Sequence, residues 1–523
     1  MALAILVRMD RKTLPIGIQT FREIREGDFY YVDKTGLALQ LIKEGKYYFL
    51  SRPRRFGKSL FLDTLGELFS GNRELFTGLA AEHHWDWSRR YPVIRLSFGG
   101  GVQTDPAGLA DKIGEQLRIN QEALGIACQE PRPEGCFAEL IRKVHAKTGE
   151  RVVVLVDEYD KPILDNLTRP EQAREIRDGL RNLYSVIKDA DAHIRFAFLT
   201  GVSKFSKVSL FSGLNNLSDL TVDTRYSSIC GYTEADLDQV FAPELPGLDR
   251  EQIREWYNGY NWTGESVYNP FDVLLLFRNR QFRSWWFETG SPSFLIQVLS
   301  ERQTYLPKLG QLLTDEQLLS TFDVDQMATE ALLFQTGYLT IDRVRQIGPT
   351  IQYRLCYPNL EVRASLNNAL LHHWRGPSSD TPDKVERLYD LLLANDVAGI
   401  EALFTAFFAS IPHDWFRKNP IAQYEGYYAS VFYAYFASLG LDLTPEDSSN
   451  AGQLDMALRF NGHIYLFEFK VVELAGEGSA LRQIKDRGYA EKYRAEGLPI
   501  HLIGVEFSRE QRAVVGFDFE HLP

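Results

Sequence analysis

Asp455 and Glu468 are the two carboxylates whose spacing points most directly to chemistry. Leu454 to Phe460 alternates apolar with other residues, Asn461-Gly462 is a strong two-residue hairpin turn, and His463 to Val471 alternates again. With Phe460 opposite His463, cross-strand pairing places Asp455 directly opposite Glu468, and Lys470 follows two residues on along the same face. Opposed carboxylates repel, so the arrangement needs a cation between them or a proton on one of them. Mg²⁺ meets that need and makes Asp455 and Glu468 candidate metal ligands. The remaining face, Leu454, Met456, Leu458, Phe460, Tyr465, Phe467 and Phe469, is an apolar layer expected to pack on a helix.

A second constellation lies near the other end. Tyr47 to Leu50 reads as a short strand, Ser51-Arg52-Pro53-Arg54-Arg55-Phe56-Gly57-Lys58-Ser59 as a loop, and Leu60 to Phe69 as an apolar-periodic helix. Strand, loop, Gly-Lys-Ser and helix are the context of a phosphate-binding loop. Backbone N–H groups at Gly57 and beyond would cradle phosphates, Lys58 would reach the β and γ oxygens, and the Ser59 hydroxyl would ligate Mg²⁺. Arg52 stands where GxxxxGK[ST] has its first glycine, which implies a differently shaped loop with Arg54 and Arg55 available to phosphate, a neighbouring subunit or nucleic acid. Farther on, Arg151 to Val156 is a β-branched run ending in Asp157-Glu158-Tyr159-Asp160, a buried parallel strand with acids at its carboxyl end. Asp157 is expected to hold Mg²⁺ through water and Glu158 to polarise an attacking water. A third buried strand, Ile194 to Leu199, delivers Thr200 or Ser203 to sense a γ-phosphate.

Asp455 with Glu468-Phe469-Lys470 resembles the PD-(D/E)XK nuclease superfamily. The resemblance implies carboxylates on Mg²⁺ and a lysine that positions or activates water and offsets phosphate charge. It also implies a further catalytic glutamate, Glu425, from a helix running to Leu439, and a glutamine and tyrosine, Gln483 and Tyr489, on an amphipathic helix from Ala480 to Tyr493. The N-terminal portion is similar to an AAA-ATPase-like family often fused to such a nuclease. That similarity rests on Phe29 to Thr35, the Arg-rich Gly-Lys-Ser loop, Val156 to Asp160, Trp256-Tyr257-Asn258-Gly259-Tyr260 and Tyr268-Asn269-Pro270. It implies an ATP-binding P-loop fold with a helical lid. Sites of this kind often work at subunit interfaces, which implies a homo-oligomer, with Arg225 a candidate for a finger.

The chain length points to three sections: an AAA-like P-loop core over residues 1–230, a helical lid with a winged-helix-like module over 231–376, and an α/β restriction-endonuclease-like domain over 377–523; the module is read as a lid ahead of a DNA contact, because it lacks an evident basic recognition helix. Thr233 is expected to cap a helix, Gly376 to Asp380 to form a linker, Pro382 to Phe408 to be helical, and Trp285-Trp286-Phe287 to pack within the lid. A chain of 523 residues with 44% hydrophobic content supplies several cores. Cys128, Cys136, Cys230 and Cys356 lack metal or disulfide spacing, which fits a reducing cytoplasm. Met1 to Val7 is too short for a secretory core, and no apolar stretch approaches bilayer length, so no membrane partner is expected. The net charge of −12 argues against coating of nucleic acid but not against a local basic channel. The function expected is nucleotide-gated, Mg²⁺-dependent cleavage of nucleic acid, DNA ahead of RNA. The alternative is a nucleotide-dependent switch or assembly protein whose nuclease-like domain binds without cutting, including a role in defence against mobile elements.

Overall fold

The computed structural model describes residues 11–204, 216–288, 293–302, 304–315, 319, 328–375, 381–409, 425–449, 452–511 and 513–523. The chain divides into two units, one built from residues up to Trp286 with Leu313–Asn359, the other from Phe287–Leu312 with Leu360–Pro523. The architecture is α/β throughout.

In the first unit, β1 (Tyr47–Ser51), β2 (Val93–Ser97), β3 (Val152–Asp157), β4 (Ile194–Gly201) and β5 (Ser218–Asp219) form one sheet in the order β2-β3-β4-β1-β5. All its pairings are parallel. The Val152 to Val156 run is wholly buried, as a β-branched central strand covered on both faces requires. Helices Pro106–Leu124 and Pro133–Thr148 each begin at proline and stop at a left-handed glycine, Gly125 and Gly149. Thr233 caps Glu234–Val240 in a reciprocal box with Asp236. The lead-in residues Tyr30 and Val32 share one core cluster with Ile253, Tyr257, Tyr268 and Val273, so segments far apart in sequence meet in one core. Trp286 is buried against Tyr338 and donates its indole N–H to the Arg54 carbonyl at 3.1 Å. Helix Thr329–Thr336 precedes the antiparallel pair β7 (Thr340–Ile347) and β8 (Thr350–Cys356), which β6 (Leu312–Asp315) extends in the order β6-β8-β7.

The second unit holds β9 (Asp442–Ser449), β10 (Gly452–Phe460), β11 (His463–Val472), β12 (Ile500–Ser508) and β13 (Val514–Leu522), ordered β13-β12-β11-β10-β9. Only the β11–β12 pairing among these is parallel. Asn461 and Gly462 both take left-handed backbone, the requirement of the tight turn, and Phe460 pairs with His463 as expected. Phe467 and Phe469 pack on Phe436 and Phe432 of helix Glu425–Ser438.

Three expectations are corrected. Leu454 leaves the expected apolar layer and clusters with Ala457, Ile464, Leu466 and Ile484 on the opposite side. Strand alternation slips there because the β9–β10 ladder skips Asp455, and Glu446, which faces it, is left-handed at φ 49°. The helix expected from Ala480 to Tyr493 ends at Asp486, because Gly488 turns left-handed at φ 59° and the chain continues as short 3₁₀ turns. Pro382 to Phe408 is two helices, Thr381–Leu393 and Val397–Ala409, parted at left-handed Asn395. The linker Gly376 to Asp380 and the Met1 to Val7 segment lie outside the described residues.

Candidate active sites

The carboxylates of the second unit meet where β10 and β11 cease to pair. The ladder runs from Phe460↔His463 to Met456↔Phe467. One step on, the Asp455 carboxylate, rather than a backbone carbonyl, accepts the Phe469 N–H, at 2.8 Å. Glu468 beside it is 1% exposed. Its Oε1 accepts from the Gln483 side-chain amide and lies 3.3 Å from Lys470 Nζ, while its Oε2 has no hydrogen-bond partner among the described residues. Burial, then the Asp455 charge, pushes the Glu468 carboxyl up to about 7 against the opposing pull of Lys470. A buried carboxylate oxygen without a donor is costly, and a hard divalent cation is the partner its chemistry suits. Asp455, Glu468 and their surroundings therefore fit Mg²⁺, although no group of three or more His, Cys, Asp or Glu side chains gathers among the described residues. Glu425 opens helix Glu425–Ser438, but its side chain lies outside the described residues.

Gln483 reaches Glu468 from helix Ser479–Asp486, and two residues the sequence reading passed over hold that helix in place. Gly504 on β12 pairs with Glu468, and a Cβ at Gly504 would lie 2.2 Å from the Leu481 nitrogen. Only a bare backbone lets the helix approach so closely. Glu506, wholly buried, accepts backbone N–H groups from Glu477, Gly478, Ser479 and Ala480, and the Ser479 hydroxyl. Burial pushes its carboxyl upward, but the Ser479 hydroxyl and these amides outweigh it and leave the carboxyl below its ordinary range. A glycine and an acid inside the apolar run from Ile500 to Phe507 were the available signals. Tyr489 lies elsewhere: its hydroxyl donates to the Gln453 carbonyl at 3.0 Å and braces the strand entering Asp455.

At the carboxyl ends of the parallel sheet, Gly57 is left-handed at φ 91° and starts helix Lys58–Phe69. The Lys58 ammonium turns back onto the loop, donating to the carbonyls of Arg52 at 2.9 Å and Pro53 at 2.8 Å. Burial lowers its affinity for a proton against the raising pull of Asp157. Arg52 explains the missing glycine. Its wholly buried guanidinium donates to Ser51 O, Thr221 O and Tyr226 O and lies 4.0 Å over the Trp262 ring. Arg54 and Arg55 are exposed, with Arg55 left-handed at φ 68° and over the Phe271 ring. Asp157 and Glu158 stand at the end of β3, and burial followed by the Asp157 charge raises the Glu158 carboxyl. Glu158 is left-handed at φ 50°, an uncommon conformation for its type. Thr200 pairs with Leu50 on β1, and its buried hydroxyl has no partner among the described residues. Ser203 instead gives its hydroxyl to buried Asp160 at 2.5 Å. Arg225 is engaged within the chain by Asp223 and Glu44.

Residues 15–211 match a family described as predicted AAA-ATPase, and residues 423–517 match the PD-(D/E)XK nuclease superfamily. The chain is also similar to an uncharacterized protein in the vnfD 5′ region of Azotobacter chroococcum mcd 1, 68% identical over 515 residues that span 98% of this chain and 100% of the relative. Among the described residues no helix is long and apolar enough to cross a membrane.

Proposed function

Because this chain belongs to the family of the Azotobacter protein and joins an AAA-ATPase-like domain to a C-terminal PD-(D/E)XK nuclease superfamily domain, we propose that it cleaves nucleic acid, DNA ahead of RNA, under control of bound ATP. The observation that carries the reading is the buried, donorless Glu468 Oε2 beside Asp455 and Lys470.

Asp455 and Glu468, with Glu425, would hold Mg²⁺, which when bound supplies Lewis-acid stabilisation of the phosphoryl oxygens and an activated water. Gln483 fixes the Glu468 carboxylate by donating to Oε1, leaving Oε2 uncommitted. Lys470 offsets charge on the scissile phosphate and orients the nucleophile. At the other site Gly57, Lys58 and Ser59, with Arg54 and Arg55, would take the phosphates of ATP. Ser59 and Asp157 would hold its Mg²⁺, Glu158 would act on the attacking water, and Thr200 would answer to the γ-phosphate. Binding exchanges the Arg52 and Pro53 carbonyls on Lys58 for phosphate oxygens, a local rearrangement that ATP can drive.

The test is cleavage of labelled single- and double-stranded DNA and RNA with Mg²⁺, with and without ATP, beside Asp455→Ala and Lys470→Ala. Cutting that responds to ATP and vanishes in both variants, with ATP binding intact, is the expected result. Cutting that survives Asp455→Ala overturns the site. The second reading, a switch that binds without cutting, draws on the retracted Lys58 ammonium; it predicts ATP binding with no cleavage on any substrate.

A further inference from the structure

The β7–β8 hairpin sorts its side chains by face. Tyr353 and Leu355 are buried, so on β8 the face they hold points into the first unit, while Val344 and Gln346 on the same face of β7 reach beyond that core and are exposed. Alternation then sends Arg343, Arg345 and Ile347 on β7, and Thr350, Gln352 and Arg354 on β8, to the outward face. An irregularity between Ile341 and Arg343 sets this register and brings Arg343 directly opposite Arg354, with Arg345 opposite Gln352.

Like charges directly opposite on a hairpin are destabilising. Here three arginines crowd one face of a chain whose net charge is −12. Arg343 and Arg345 have no ion-pair or hydrogen-bond partner among the described residues. Arg354 has one carboxylate, Asp342, at 3.5 Å, with both side chains about two-fifths exposed (41% and 43%). Such an exposed pair holds weakly and gives way to a better anion. The cost of the arrangement is recovered when a polyanion lies along the face.

We propose that this outward face is a wing that grips the phosphate backbone of duplex DNA through Arg343, Arg345 and Arg354, with Gln352 between them. A two-stranded ribbon suits the groove of B-form DNA, about 12 Å wide, whereas the major groove of A-form RNA is too deep and narrow for it. Guanidinium forks match phosphate oxygens in pairs, and they contact backbone without selecting sequence. The proposal rests on the cleavage reading only in taking nucleic acid as the partner.

The test measures equilibrium binding in EDTA, where no cutting occurs, across a salt series for duplex DNA, duplex RNA and single-stranded DNA. Comparing R343A/R345A/R354A with the native chain, we expect weaker binding to duplex DNA. The slope of log affinity against log salt should shrink by about 3, near one per lost phosphate contact. R343K/R345K/R354K should keep the slope, and melting curves with basal ATP hydrolysis control for folding. Asp455→Ala should lose cutting yet keep the full slope, which separates failure of the wing from failure of the nuclease site. An unchanged slope in the triple alanine variant, or a loss confined to RNA or single strands, overturns the wing.

Discussion

Glu468 is a group whose proton tells how its surroundings are built. Its carboxyl is held near 7 against an ordinary 4.5, so in metal-free protein the folded state retains a proton that the unfolded chain has released. Stability therefore falls as pH rises from about 4.5 to about 7, by up to about 3 kcal/mol. Glu468→Gln should flatten that fall and raise the melting temperature in EDTA at pH 8, while abolishing cleavage; thermal melts from pH 4.5 to 8 that show equal slopes for both proteins would refute it. Arg52 gives the opposite lesson. Arg52→Gly restores the common phosphate-loop pattern yet strips donors from the Thr221 and Tyr226 carbonyls and empties the space over Trp262. We expect a loss of about 3 kcal/mol or more and weakened ATP binding by calorimetry; a variant that melts like the native chain and hydrolyses faster would contradict this. The sequence marks Arg52 as a departure but cannot show it buried, because its acceptors at 221 and 226 arrive only through folding.

Between residues, elements turn local choices into reach. The hairpin register was legible because Asn461-Gly462 and strict alternation are local devices. The break at Asp455 was not, since it arises from a side-chain carboxylate taking the Phe469 N–H and a left-handed Glu446 on the neighbouring strand. The overextended helix reflects the same limit: apolar periodicity continued through Gly488, and the left-handed turn there decided otherwise. Helix Ser479–Asp486 sits low on the sheet because Gly504 has no side chain, and Gln483 reaches Glu468 only at that depth. Gly504→Ala should lift the helix, costing about 1–3 kcal/mol in stability. Cleavage should fall about 10- to 100-fold with both carboxylates unchanged. Native cleavage in a folded Gly504→Ala protein would show that this depth is immaterial.

At the scale of the whole chain, the two sites carry separate duties. Lys58→Ala should lose ATP binding and the ATP response of cleavage, whereas Asp455→Ala should lose cleavage with ATP binding intact; filter binding and a cleavage time course on both variants check the pair. A Lys58→Ala protein that still answers to ATP would break the proposed link. The division of the chain was less legible than its motifs, because motifs are contiguous and units are not: Phe287–Leu312 belongs to the second unit and Leu313–Asn359 returns to the first. That interleaving constrains manufacture. During translation an early piece of the second unit, with Leu295, Ile296 and Leu299 destined for burial, emerges ahead of the last piece of the first. At about 5–20 residues per second it must wait seconds for its own partners, sticky and open to chaperones, and gene fragments cut at any single codon between the two units deliver one of them incomplete.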